Sequence, residues 1–321
     1  MKQSKIAILA IIVIIPLISL ILWSNENTTN LETSEDELQV YVSFYPLYEP
    51  TQAVIGDKAD VKILTPPNID PHDFDPSIKV IQEMKTADLI VLNGGGFESW
   101  ISNMELDSDQ LLDSSNGISF LKTESVDHHE EHDEHAKEDE HDEHEEHKVV
   151  SDPHIWLNPN LVKIQVKNIA ERLSEIDPEN SKSYNENALQ YIEKLELLDL
   201  QIREELSSCS KKDFITFHNA FSYFSDEYGL TQHTITKGVH DHSATPTAKS
   251  IEDVIDLAKE LNLSVIFAED TSDIRISQVI ADEIGADVLI LSPVATEDIE
   301  NKNYFERMQQ NASNLKKALC N

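Results

Sequence analysis

Short apolar runs alternate along this chain with segments of helical period. Residues 38–44 (LQVYVSF), 60–65 (DVKILT) and 88–93 (DLIVLN) are β-branched and apolar and read as strands. A helix over 45–55, stopped by Gly56, separates the first two, and a helix over 76–86 separates the second and third. Residues 66–76 form a loop stiffened by four prolines. Gly94, Gly95 and Gly96 break the pattern before a short helix at 98–101, and 119–122 reads as a short fourth strand. Two helices follow without strands: 159–176, ended by Asp177-Pro178, and 179–208, with apolar positions at Leu189, Ile192, Leu195, Leu198 and Ile202. The second would be roughly 45 Å long at ~1.5 Å per residue, longer than one lobe requires. The alternation then restarts, with strands at 213–217, 231–236, 264–268 and 287–291 and helices at 220–228, 247–261, 272–284 and 303–319. Strands separated by helices imply parallel sheets. The pattern therefore predicts an α/β chain of two halves joined by one long helix. In such folds ligands bind beyond the carboxyl ends of the strands, and His72 and His218 each follow a strand end.

The first residues have a different pattern. Lys2 and Lys5 precede an apolar run over 6–23, interrupted by Pro16 and Ser19. As a helix this run spans roughly 27 Å, close to a bilayer core, and the lysines place the remainder outside the cell. No small-residue cleavage site and no lipid-acceptor cysteine follow it, so an uncleaved anchor is the preferred reading and a cleaved signal the alternative. The expected divisions are 1–36 for the anchor and polar tether, 37–178 for the first lobe, 179–208 for the linking helix and 209–321 for the second lobe.

With 40% hydrophobic residues in 321, a sizeable core is available. The formal net charge of -35 argues against nucleic acid as a partner and suits cations. Residues 127–147 account for twelve of the acidic residues and contain seven histidines: His128, His129, His132, His135, His141, His144 and His147. This run has almost nothing apolar to bury and reads as a disordered, low-affinity metal loop, a solvated spacer being the blander reading. Cys209 and Cys320 do not form a CxxC pair. In an exported chain they can close one disulfide; two free thiols are the other reading.

The loop feeds directly into Ser151-Asp152-Pro153-His154-Ile155-Trp156-Leu157-Asn158-Pro159. His72, in Pro71-His72-Asp73, and His218, in Phe217-His218-Asn219, sit in similarly punctuated settings. Together the three suggest a metal site of neutral imidazoles, against the plain reading of buried, hydrogen-bonded histidines. His233 reads as a strand residue, and Trp100 and Trp156 as core or cleft wall. Glu98 and Asp152 are candidates to orient imidazoles, with a helix cap or turn as the simpler role.

The chain resembles the zinc/manganese solute-binding proteins of ABC transporters. The resemblance rests on Pro71-His72-Asp73-Phe74-Asp75-Pro76, Asn93-Gly94 with Glu98-Ser99-Trp100, the His154 motif, Phe217-His218-Asn219-Ala220-Phe221-Ser222-Tyr223-Phe224 and Val265-Ile266-Phe267-Ala268-Glu269. It implies two Rossmann-like lobes, a long linking helix and a metal in the cleft on His72, His154 and His218. It also implies Zn2+ as transported ligand, and a membrane permease with its cytoplasmic ATPase as partners of a monomeric receptor. Where the family often carries an aspartate after the last strand, this chain has Leu291-Ser292-Pro293. Loss of that carboxylate favours zinc over manganese, which stays the rival cargo. The fourth position is left to Glu269, Asp270, His240, His242 or water. Readings of another class are an extracellular metal buffer or adhesin, and a zinc hydrolase. The hydrolase reading lacks a general base beside a ligand, such as HExxH, so the expectation is a receptor and not an enzyme.

Overall fold

In the computed structural model the described residues are 38–67, 69–126, 147–236, 246–270 and 274–320. The anchor and tether, the loop histidines from His128 to His144, and His240 and His242 lie outside them. Among the described residues no helix is long and apolar enough to cross a membrane.

The first half is built on a parallel sheet. Strands β1 (Val40–Val42), β2 (Val61–Ile63), β3 (Leu89–Leu92) and β4 (Leu111–Asp113) lie in the order β2-β1-β3-β4. Val40 stands opposite both Val61 and Leu89, so β1 is central. Helices α1 (Tyr45–Ile55) and α2 (Ile78–Met84) follow β1 and β2. Tyr41, Leu64, Phe74, Met84, Ile90 and Leu92 form one buried cluster here. The fourth parallel strand is therefore at 111–113 and not at 119–122. Three residues in an acidic stretch are too few to display a period of two.

Strands β5 (Lys122–Val126) and β6 (His147–Ser151) pair antiparallel, with Lys122 opposite Ser151 and Val126 opposite His147. This antiparallel pair stands apart from the parallel sheets that the pattern predicts. Its consequence is positional: the His-rich run leaves and re-enters the fold through one ladder, which ends just before Asp152.

Helix α3 (Pro159–Ile176) starts with Asn158, whose side chain accepts the Asn160 amide, and α4 (Ser181–Leu206) follows. At 26 residues α4 is about 39 Å long at ~1.5 Å per residue. Its buried stripe runs through Tyr184, Ala188, Tyr191, Ile192, Leu195, Leu198, Ile202 and Leu206. Leu189, placed on this stripe by the sequence pattern, is 61% exposed. The stripe is continued there by Ala188, one position earlier. Helix α4 packs on α1 and α3, and also on the C-terminal helix of the second half, so it bridges both.

The second half has β7 (Asp213–Thr216) parallel to β8 (Thr231–Thr234), and β9 (Val265–Ala268) parallel to β10 (Asp287–Ile290), with β9 lying against β7. Helices α5 (Ser222–Tyr228), α6 (Ala248–Glu260), α7 (Ile274–Ile284) and α8 (Tyr304–Leu319) connect and cover these strands. Ile215, Phe217, Ile235, Val254, Ile266 and Ile280 form its core. Cys209 and Cys320 are joined as a disulfide across 111 residues, so the free-thiol reading is set aside. His233 sits on β8 with Nε2 2.9 Å from Asp213 Oδ1 on β7, a cross-strand pair apart from the three converging histidines.

Candidate metal centre

Three loops bring His72, His154 and His218 together. One ring nitrogen from each lies within 4.8 Å of the others, and among the described residues no other histidine, cysteine or carboxylate belongs to such a group. The ring centroids are 5.1 Å apart for His72 and His154, 5.4 Å for His154 and His218, and 6.4 Å for His72 and His218. His154 and His218 are fully buried, and Nε2 of all three is closed off from solvent.

Each imidazole is positioned by its own local device. The His72 N–H donates to Asp70 Oδ1 at 2.9 Å, turning the proline-stiffened loop after β2 so that the ring meets Phe97 edge-on at 4.9 Å. Burial raises the Asp70 carboxyl above its usual value. The His154 N–H donates to Asp152 Oδ1 at 3.0 Å, and Nδ1 of the ring lies 2.8 Å from the same oxygen. Burial pushes the Asp152 carboxyl up, but the charge and hydrogen bonds of His154 outweigh it and hold that carboxyl below its usual value. An ionised carboxylate on Nδ1–H leaves the Nε2 lone pair facing the other rings.

The loop around His154 is anchored from both halves. Asn93 Nδ2 donates to Pro153 O at 2.9 Å, Trp156 Nε1 to Pro293 O at 2.8 Å, and the Tyr304 hydroxyl to Trp156 O at 2.8 Å. Tyr223 donates to Asp152 O at 2.8 Å and accepts the Leu121 amide at 2.9 Å. Trp156 is core, as expected, packed on Phe44 at 4.8 Å. Trp100 stands off the site against Phe74.

Glu98 orients no imidazole directly. Its buried carboxylate accepts from Ser43 Oγ at 2.6 Å, Asn93 N at 2.7 Å and Gly94 N at 3.1 Å, and burial raises its pKa nonetheless. It fixes the turn after β3 and, through Asn93, the carbonyl before His154. Gly94 has φ +85°, and a Cβ there would stand 2.0 Å from Asp113 Oδ1, so glycine is required.

His218 follows β7, and Glu269 follows the adjacent β9. The His218 N–H donates to Glu269 Oε1 at 3.0 Å, and Nδ1 lies 2.6 Å from Oε2. Both carboxylate oxygens thus face His218. Asp270 Oδ2 accepts from Ser292 Oγ at 2.6 Å and from Arg307 Nη2 at 2.7 Å. Asp152 was legible two residues before its histidine. The role of Glu269 depends on β9 lying against β7, a sheet order that no local pattern carries.

Burial raises the Glu269 carboxyl to about 8 and drives the His218 imidazole well below its usual value. At pH 7 the pair is therefore neutral overall. Coordination through His218 Nε2 requires Nδ1–H, and that hydrogen requires an ionised Glu269. Zinc binding at pH 7 should then release about one proton from this pair, a release that fades above about pH 9, where Glu269 is already ionised. Calorimetry in buffers of different ionisation enthalpy measures it. Glu269→Gln should remove this proton and weaken zinc by roughly 10–100-fold.

The family described as zinc-uptake complex component A, periplasmic (ZnuA), matches residues 40–318. The high-affinity zinc uptake system protein ZnuA of Bacillus subtilis is 35% identical over 296 residues, 90% of this chain and 89% of that protein. The zinc-binding protein AdcA of Streptococcus pyogenes is 32% identical over 291 residues, 88% of this chain; the chain spans 56% of AdcA. The crystal structure of the metal-dependent lipoprotein YcdH from Bacillus subtilis superposes with a TM-score of 0.73 at 32% identity, covering 88% of this chain and 100% of that one. A parallel α/β architecture bridged by a long helix, converging buried imidazoles and a match along almost all of the described fold agree: the chain belongs to the ZnuA family of zinc-uptake receptors, which bind their substrate and are not enzymes.

Proposed function

We propose that this chain is an extracytoplasmic receptor that captures one Zn2+ between His72, His154 and His218 and hands it to an ABC-type permease with its cytoplasmic ATPase. The observation that carries the reading is the convergence of three imidazoles from three loops, two of them held in register by Asp152 and Glu269. A set of nitrogen donors suits Zn2+ better than Mn2+, which prefers oxygen. Glu269 is engaged by His218, and Asp270 by Arg307 with Ser292, which supports water, His240 or His242 over either carboxylate in the fourth position.

The reading extends to the remaining segments. Residues 1–36 tether a monomeric receptor to the membrane; 37–178 and 209–321 are the lobes on either side of the helix over 179–208. The histidines at 128, 129, 132, 135, 141, 144 and 147 collect zinc weakly. Titration of the full chain against chromophoric chelators tests the reading. One tight zinc site per chain is expected, which persists when 127–146 is deleted, while weaker binding disappears. Tight binding lost with that run would make the chain a metal buffer.

A further inference from the structure

Two carboxylates directly follow β9, and both are turned to other uses: Glu269, and Asp270, whose partner Ser292 precedes the Pro293 carbonyl that holds Trp156 in the His154 loop. Glu269 is engaged with His218 itself. Asp270 is engaged with Arg307, whose guanidinium is only 3% exposed. Arg307 Nη2 donates to Asp270 Oδ2 and to Ser292 Oγ, each at 2.7 Å, and Nη1 donates to Thr296 O at 2.5 Å. Ser292 closes the triangle by donating to Asp270 Oδ2 at 2.6 Å, and its own amide is held by Asn311 Oδ1 at 2.8 Å. The guanidinium also stands 5.8 Å over the Tyr45 ring.

A buried cation of this kind needs a counter-charge, and Asp270 supplies it. The clamp is mounted on α8, one turn beyond Tyr304, whose hydroxyl holds Trp156 O. A single helix face therefore reaches both the loop of His154 and the loop after Glu269. We infer that Arg307 is a specificity-determining positioning residue: by clamping Asp270 against Ser292 it keeps a carboxylate oxygen out of the metal's coordination sphere. The site then presents imidazole nitrogen alone from the described residues, the donor set that disfavours Mn2+. This inference rests on the zinc-receptor reading of the triad.

The test measures the ratio of Mn2+ to Zn2+ dissociation constants of the full chain by chelator competition, with the visible spectrum of bound Co2+ as a second readout. If the native chain has no tight zinc site, the receptor reading itself fails; the variants address only the clamp. Arg307→Gln, folded by circular dichroism, should lower the Mn2+/Zn2+ ratio by about tenfold or more and weaken the Co2+ d–d bands as oxygen joins the sphere. Adding Asp270→Asn to Arg307→Gln should return both readouts to the native values. An unchanged ratio in the single variant, or an equal shift in the double variant, overturns the inference. Should Arg307→Gln not fold, Asp270→Asn alone decides: zinc affinity within about threefold of native is required, and a loss of about tenfold would make Asp270 a ligand and overturn it.

Discussion

Replacing His218 by alanine should lower Zn2+ affinity by about two to three orders of magnitude while the chain stays folded. Four-ligand zinc sites carry roughly 10–16 kcal/mol, so one ligand accounts for about 3–4 kcal/mol, and every ~1.4 kcal/mol is a factor of ten. His218 is the ligand for which the effect should be cleanest. It is fully buried, no water reaches its place without cost, and its Nδ1 is already committed to Glu269. His72 is less enclosed, so water can stand in more easily and His72→Ala should lose less. The Glu269 carboxyl, raised by burial to about 8, stays protonated at neutral pH once its partner is gone, which limits the damage to the fold. Competition with chelators of graded affinity measures the loss, and circular dichroism checks the fold. His233→Ala provides the control, since that ring is held on the sheet by Asp213, and its affinity should stay near native. A folded His218→Ala chain that binds zinc within about threefold of native would mean that the imidazoles are packing residues and that the cargo sits elsewhere.

Most of the parallel architecture was legible because its strands are short apolar runs cut off by glycine, proline or a histidine loop. The bounds of α1 and α3 agree with the pattern residue for residue, since a glycine ends the first and Asp177-Pro178 the second. The triad was legible for a related reason: His72 and His218 sit where a strand ends, the position from which a parallel sheet presents side chains to a ligand. What stayed hidden depends on contacts across the chain. Strand β4 is three residues long and gains its identity only by pairing with β3. The clamp joins Asp270, Ser292 and Arg307 over intervals of 22 and 15 residues, and none of the three is unusual in its local setting. Glu98 looked like a partner for an imidazole because it lies in a matching motif, yet its three donors are Ser43, Asn93 and Gly94. A carboxylate beside a metal loop can serve the backbone of that loop as well as its ligand, and sequence does not separate the two.

Removing the disulfide should cost the fold about 3–5 kcal/mol and the metal site almost nothing. The bond closes a loop of 111 residues that contains β7 to β10, His218, Glu269 and Arg307. Closing a loop of that length in the unfolded chain removes about 16 cal/mol/K of entropy, or nearly 5 kcal/mol at 25 °C, and real bonds return somewhat less. The double substitution Cys209→Ala with Cys320→Ala should therefore lower the urea midpoint strongly and raise the slope of the transition somewhat, because the unfolded chain without the bond is more expanded. Zinc affinity should hold because of where the bond lies. Cys209 precedes the start of β7, at the end of that strand opposite His218, and Cys320 caps the far end of α8, whose first turns carry Tyr304 and Arg307. Near Cys209 the native contacts outlast the bond: the Lys211 amide donates to Leu319 O at 3.3 Å, and Leu206 and Leu319 remain buried. A stability loss below about 1 kcal/mol would mean that the unfolded chain is already compact across this segment, so the bond removes little freedom. A tenfold loss of zinc affinity at unchanged fold would instead mean that the bond sets the tilt of α8, and through Tyr304 and Arg307 the placement of the loops around His154 and Glu269.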